Sequence, residues 1–410
     1  MFSSGRLVSS VCRNLRGSVG TLRALRWDSS LTTPRPLVGA LGVSRRVDRI
    51  VGGWLLVCSG TVVGAVALGG ITRLTESGLS MVEWSLIKEM KPPRNQSEWE
   101  DEFAKYQQYP EYKVLNRDMT LSQFKLIWFM EFSHRMWGRG VGLCYLLPAA
   151  AFWSRGWLSG PMKRRVVGMG ALVCCQGLLG WYMVKSGLQE VETATHVPRV
   201  SPYRLAAHLG AALLLYSVSL WSALSLLLPP PAAAAERVRW VDEWVGGLRL
   251  HGDRAVSLPV RLCALGTTGL VFLTALSGAF VAGLDAGLVY NTYPKMADRW
   301  VPSDLLGLDP WWRNPFENPT TAQFNHRLLG TLTVAVVTAL FVAGRRLPLP
   351  RRPRLLLTGV LGMVAVQVSL GITTLLLFVP TALAAAHQSG SLALLTLTLW
   401  LTKELKRLPK

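Results

Sequence analysis

Long apolar segments alternate with short polar connections along most of the chain. A helix needs roughly 20 mostly apolar residues to cross a bilayer, and eight such stretches follow one another. They are residues 52–71, 123–149, 165–184, 204–228, 261–283, 322–343, 354–378 and 381–402. Because they are apolar on all sides and lack a period-two alternation, we expect helices and not barrel strands. The pattern predicts an all-α polytopic membrane protein with eight transmembrane helices.

The connection between the fourth and fifth stretches divides the chain into two halves. It opens with three prolines at 229–231 and continues through alanines into a charged run, which is typical of a linker. We therefore predict an N-terminal four-helix half over 46–228, a linker over 229–260 and a C-terminal four-helix half over 261–410.

The two halves share short motifs in the same order. The matching positions are His134-Arg135 and His326-Arg327, His208 and His387, Gln176 and Gln367, and Glu76 and Asp285. An internal repeat of this kind predicts two duplicated four-helix bundles. Since each half has an even number of spans, we expect the halves to be related by an axis along the membrane normal.

Composition agrees with a membrane protein and narrows its partners. Half of the residues are hydrophobic and 17% are charged. The net charge of +20 would suggest nucleic-acid binding in a soluble protein. Here the lysines and arginines lie in the N-terminal segment and the short connections, so we expect membrane lipid and no nucleic acid. The six cysteines form no C-x-x-C pair, which argues against zinc, iron–sulfur clusters and covalently attached heme.

The first 45 residues have the composition of a targeting segment. They contain several arginines and no acidic residue before Asp28, which is typical of a mitochondrial transit peptide, although a disordered basic tail is the alternative. The following connections are alternately strongly basic and mixed in charge. Because basic connections stay on the matrix side, both termini are predicted to face the matrix of the inner membrane.

Each even-numbered span carries one histidine near its start: His134, His208, His326 and His387. A lone histidine in a span more often makes a helix contact. Four at equivalent positions of a repeat instead favour metal ligation, and histidine is a common axial ligand of heme iron. Pairing within each half predicts two heme sites at one depth, His134 with His208 and His326 with His387.

One carboxyl group distinguishes the two predicted sites. Glu131 lies three residues before His134, on the same helix face, whereas the matching residue in the second half is Gln323. A buried carboxylate can act as a base or nucleophile, so we predict a reactive first site and an electron-transfer heme in the second. The alternative is that Glu131 pairs with Arg135 or Lys125, because buried charges are usually paired.

Three arginines follow the histidines closely: Arg135, Arg139 and Arg327. Arginine suits charge-assisted contacts with heme propionates, and snorkelling or ion pairing is the alternative. Two other functions compete with substrate oxidation. A diheme b-type electron carrier usually has hemes at two depths, and a transporter with repeated halves tends to have broken helices. The sequence favours neither.

Taken together, the motifs resemble those of the mitochondrial heme A synthases. They are the run from Gly69 to Met81, the run from Glu131 to Arg139, the segment from Asn291 to Met296, and Asn325 to Arg327. The similarity covers most of the chain after residue 45. It implies an eight-helix inner-membrane enzyme that oxidises a ring methyl of heme O to a formyl group, giving heme A for cytochrome c oxidase.

The resemblance also implies roles for individual residues. His326 and His387 would hold a resident heme b, while His134 and His208 would flank the substrate heme O and Glu131 would take part in its oxidation. The implied partners are a heme O-forming farnesyltransferase and a mitochondrial ferredoxin. Whether the protein forms homo-oligomers is left open by the sequence.

Overall fold

The computed structural model describes residues 38–85, 90–188, 199–228 and 258–408. Within these ranges the regular secondary structure is helical, apart from one isolated bridge between Met296 and Arg299. Residues from Arg45 onward form one compact unit. The predicted transit peptide, except for its last residues, and most of the predicted linker lie outside the described residues.

Apart from the 3-10 turns at Ala286–Leu288 and Trp311–Arg313, the described residues contain eight long α-helices and three short ones. In chain order they are α1 (Val38–Leu74), α2 (Gln96–Tyr106), α3 (Pro110–Leu115), α4 (Leu121–Ser154), α5 (Gly160–Gly187), α6 (Pro202–Leu227), α7 (Leu258–Gly283), α8 (Asn314–Glu317), α9 (Pro319–Arg345), α10 (Arg351–Leu376) and α11 (Thr381–Arg407). Each predicted span falls on one of the long helices. The all-α prediction is confirmed.

Seven of the long helices in the described part of the chain are long and apolar enough to cross a membrane. The remaining one, α4, is interrupted by Lys125, Glu131, Arg135 and Arg139. At 34 residues it is roughly 50 Å long, more than a bilayer core requires. The chain is therefore a multi-span membrane protein, and α4 is set apart by its charges and not by its length.

The two helices that carry the motif His-Arg begin at well-defined caps. The Thr120 hydroxyl accepts a hydrogen bond from the N–H of Gln123, and the Gln123 side-chain oxygen accepts one from the Thr120 N–H, forming a capping box at the start of α4. Asn318 caps α9, with Pro319 in the first turn. These caps fix where each helix begins, and therefore the height at which its histidine lies.

One apolar core runs through helices of both predicted halves. The strongest contact between the halves is that of α6 with α7, and α11 also packs against α6. Polar contacts reinforce it: the Gln388 side-chain amide of α11 donates to the Val66 carbonyl of α1 at 2.9 Å. The halves thus share an interior.

The long connection between α1 and α4 folds into a layer against α4. Buried aromatic side chains of α2 and α4 interlock, with ring centroids 5.0 Å apart for Trp99 and Trp128 and 5.3 Å apart for Tyr106 and Phe124. We call α2, α3 and these aromatic residues the aromatic layer. It lies at the end of α4 that carries the first predicted histidine.

Candidate functional site

Each of the four predicted histidines rests against a glycine of the long helix that precedes its own. The closeness of each contact is measured by the distance from a Cβ added to the glycine to the Cε1 atom of the ring. The pairs are Gly69 and His134 (2.8 Å), Gly180 and His208 (3.6 Å), Gly278 and His326 (3.3 Å), and Gly371 and His387 (2.8 Å). The same helix–helix contact therefore recurs four times. At Gly69 and Gly371 a side chain would collide with the imidazole.

The second predicted pair has the spacing expected for a shared metal. The ring centroids of His326 and His387 lie 6.2 Å apart, with ring planes 87° to one another. A metal–imidazole bond is about 2 Å long, so two imidazoles that share one metal have centroids roughly 6 Å apart. These residues therefore fit a heme iron held between two axial histidines.

Both rings of this pair also have a hydrogen-bond partner behind them. The Nδ1 of His326 lies 2.7 Å from the Ser277 hydroxyl. The Nδ1 of His387 lies 3.1 Å from the backbone carbonyl of Gln367, whose side chain donates back to the His387 carbonyl at 2.6 Å. With Nδ1 engaged, Nε2 is the nitrogen left for a metal.

The histidines of the first predicted pair are held differently. The Gln176 side chain donates to the His208 carbonyl at 3.2 Å, which repeats the contact of Gln367. The Nδ1 atoms of His134 and His208 are buried without a hydrogen-bond partner among the described residues.

A buried ion pair lies beside the first pair. The Glu131 and Arg135 side chains are 5% and 3% exposed, and Arg135 Nε donates to the Glu131 carboxylate at 2.6 Å. The same guanidinium donates to the backbone carbonyls of Met81 and Glu83 at 2.7 and 2.8 Å. It also lies 4.5 Å from the centroid of the Trp84 ring. The carboxylate is held inside the protein, away from lipid.

The second half repeats this arrangement without the charged acceptor. Arg327 donates to the carbonyls of Tyr290 and Lys295 at 2.9 and 3.3 Å. The Gln323 amide donates to the Tyr290 carbonyl at 3.1 Å. Because Gln323 is neutral, the second site has no counterpart of the buried carboxylate. Arg139, the remaining predicted arginine, donates to the Ser85 carbonyl at 2.9 Å, so it too contacts the connection after α1.

The connections that follow α1 and α7 share an unusual backbone conformation. Glu76 and Asp285, at matching positions of the repeat, have φ angles of 51° and 52°, which non-glycine residues seldom adopt. The Asp285 carboxylate accepts a 2.7 Å hydrogen bond from Arg73 and lies 3.4 Å from Arg199. An ion-pair network thus joins the two predicted halves at the end where these connections lie.

Sequence reasoning missed the residues that support the histidines. The glycines did carry a signal, since Gly180 and Gly371 occupy matching places in the repeat. Ser277 carried none, because a single serine in an apolar span usually bonds only to its own helix. The role of the Met81 and Glu83 carbonyls depends on how a connection folds back onto α4.

Comparison with known proteins finds close relatives over most of the chain. A family model described as "Cytochrome oxidase assembly protein" (COX15-CtaA) matches residues 52–399. The mouse protein named heme A synthase COX15 is 61% identical over 368 residues, which cover 90% of this chain and 84% of the relative. The yeast protein of that name is 41% identical, with coverage of 88% and 76%. A heme A synthase of Nitrosospira multiformis is 43% identical, with coverage of 88% and 95%.

Proposed function

The chain belongs to the COX15-CtaA family of cytochrome oxidase assembly proteins, and from this premise we propose that it is a heme A synthase. The protein is an oxidoreductase that converts a ring methyl of heme O to a formyl group and so supplies heme A for cytochrome oxidase. The single observation that carries this function is the placement of Glu131. It is a buried acid beside one histidine pair, and the other pair has a neutral glutamine in its place.

The two histidine pairs take different hemes in this proposal. His326 and His387 hold a resident heme b, which the 6.2 Å separation of their rings supports. His134 and His208 flank the substrate heme O. When bound, the resident heme supplies a redox-active iron that can pass electrons one at a time.

Residues of the chain accept the proton and position the group that accepts it. Glu131 accepts a proton as the methyl group is oxidised. Arg135 is a positioning residue in this scheme, since its hydrogen bonds to Glu131 and to the Met81 and Glu83 carbonyls hold the carboxylate in one orientation. Contact of Arg135, Arg139 and Arg327 with the heme propionates stays a prediction.

We also propose the finer architecture. In this scheme α4 also crosses the membrane, which brings the number of spans to eight. Residues 46–228 and 261–410 are duplicated bundles joined by a linker over 229–260. The recurring glycine–histidine contacts and the matched hydrogen bonds of Arg135 and Arg327 support duplication. Residues 1–45 direct the chain to the mitochondrial inner membrane, where both termini face the matrix. A heme O-forming farnesyltransferase and a ferredoxin are the proposed partners.

The test is to identify the hemes that the protein binds and makes. The protein is co-expressed with a heme O-forming farnesyltransferase and purified, and its hemes are extracted and weighed by mass spectrometry. We expect heme b together with heme O and heme A. The variant His326→Ala should lose heme b, and His134→Ala should keep heme b but lose the other two. His251→Ala, in the predicted linker, is the control. Heme b alone in the wild type would favour a diheme electron carrier.

A further inference from the structure

The four histidines differ in what holds the nitrogen that faces away from the metal. A hydrogen bond to that nitrogen orients a metal-bound imidazole and makes it a stronger ligand. In the described part of the chain, His326 and His387 have such a partner at Nδ1, while His134 and His208 have none. The difference separates the two halves of the protein completely.

The partners in the second half also fix the tautomer. The Ser277 hydroxyl lies 2.7 Å from the Thr274 carbonyl, to which it donates, and 2.7 Å from Nδ1 of His326. With the hydroxyl hydrogen on the carbonyl, the lone pair faces the ring, which places the ring hydrogen on Nδ1. The partner of His387 is the Gln367 carbonyl, which can only accept. Both rings therefore present an unprotonated Nε2 to a metal before any metal arrives.

The sequence cause lies one residue before the supporting glycine. Ser277 precedes Gly278 on α7, and the matching residue before Gly69 on α1 is Leu68. Both glycines contact the histidine ring of the following span. The first half thus keeps the glycine that receives the imidazole but has an isobutyl group where the second half has a hydroxyl.

We propose that these Nδ1 contacts make the second site a retaining site and the first an exchanging site, an inference that rests on the proposed function. Ser277 and the Gln367 carbonyl lock His326 and His387 so that the resident heme stays bound. Among the described residues His134 and His208 have no such partner, so we expect them to bind iron more weakly and to turn away more easily. A substrate heme can then enter and the product heme can leave. Ser277 is a positioning residue for retention, and Leu68 takes its place where release is required.

The first experiment removes the lock. The purified protein, loaded with heme b, is mixed with excess apomyoglobin, and the rate of heme transfer is followed by absorbance. Loss of a partner of a metal-bound histidine typically weakens binding about 10–100-fold. We expect Ser277→Ala to raise the transfer rate by about that factor, and Ser277→Thr, which keeps a hydroxyl, to stay near the wild type. The midpoint potential of the heme should rise in Ser277→Ala, because a less basic ligand stabilises ferric iron less.

The second experiment installs the lock. In Leu68→Ser, a hydroxyl stands one residue before Gly69, as in the second half, and we expect product heme A to leave for apomyoglobin at least about tenfold more slowly. An unchanged product-release rate would overturn the exchanging half of the proposal. For the retaining half, the contrary outcomes are an unchanged transfer rate in Ser277→Ala, or equal heme loss from Ser277→Ala and Ser277→Thr, which would assign Ser277 to packing. Failure to make heme A at all would refute the proposed function, yet the heme b transfer rates would still be measured.

Discussion

The Nε of Arg135 donates a 2.6 Å hydrogen bond to the Glu131 carboxylate, one helical turn earlier on α4, and both side chains are almost completely buried. An ion pair in such a place costs desolvation that is recovered only if every remaining donor is satisfied. The Met81 and Glu83 carbonyls meet part of that requirement. The pair therefore depends on the connection after α1, whose carbonyls hold the guanidinium that orients the acid.

Replacing Glu131 by glutamine should stop product formation without emptying the heme sites. The amide is of similar size but cannot accept a proton as a carboxylate does, and acid–base catalysis typically contributes about 10²–10⁴-fold to a rate. We expect the heme A made per hour to fall at least about 100-fold, while total heme per protein stays near the wild-type value. Extracted hemes are quantified by mass spectrometry.

The control for this variant is Glu100→Gln. Glu100 is an exposed acid on α2, where its carboxylate accepts from the Gln96 side chain. The same charge is removed from the protein, so a general electrostatic effect would appear in both variants. Wild-type heme A yield in Glu131→Gln would contradict the assigned role.

The glycine that supports His387 should matter for heme retention. A Cβ at Gly371 would lie 2.8 Å from the ring Cε1, and a ring that must stay in place to bind iron cannot move aside. We expect Gly371→Ala to lose most of its resident heme, measured as the heme-to-protein ratio after purification. Gly362→Ala is the matched control, because it lies on the same helix and a Cβ there meets nothing within 4 Å. Equal heme ratios would show that the glycine contact has no part in binding.

Much of the fold could be predicted from the sequence, because apolar length and a repeated motif are local signals. The helices that carry His134 and His326 were predicted, and so was the shared face of Glu131 and His134. The residues that contact these side chains were not predicted, since those contacts depend on how distant segments of the chain meet. The Ser277 hydroxyl acts only because α7 packs beside α9, and nothing in the surrounding apolar residues marks it.

The aromatic layer should become less stable as the pH rises through neutrality. Glu111 lies outside the membrane-spanning helices, and burial raises its pKa from the ordinary 4.5 to about 7. The Tyr106 hydroxyl donates to it at 2.9 Å and partly opposes this rise, Glu76 adds to it and Arg73 opposes it. A raised folded-state pKa means that the folded layer holds the proton more tightly than the unfolded chain does. This stabilisation is complete below about pH 4.5 and is lost as the pH rises through about 7.

The size of this effect follows from the pKa. A shift of one pKa unit corresponds to about 1.4 kcal/mol, so the free energy of unfolding of the layer should fall by at most about 3 kcal/mol between about pH 4.5 and pH 7. Tryptophan fluorescence during thermal unfolding is recorded from pH 5 to 8; Trp99 and Trp128 of the layer are two of the sixteen tryptophans that contribute to the signal. We expect a falling transition temperature in the wild type and a nearly flat profile in Glu111→Gln, which keeps a neutral side chain at every pH. Parallel profiles for the two proteins would contradict the assignment.

The contact between α1 and α11 should depend on the absence of a side chain at Gly70. A Cβ there would overlap the Gln388 side-chain oxygen, so Gly70→Ala must push Gln388 away from the Val66 carbonyl to which its amide donates. A hydrogen bond of this kind contributes about 1 kcal/mol. The proper reference is Gly60→Ala on the same helix, where a Cβ meets nothing within 4 Å and the gain in helix propensity is the same. We therefore expect Gly70→Ala to be about 1 kcal/mol less stable than Gly60→Ala in thermal unfolding.

In a Gln388→Ala background the bond is already gone, so the difference between the two alanine variants should vanish there. A difference that persisted would mean that Gly70 contributes to packing by some route other than Gln388.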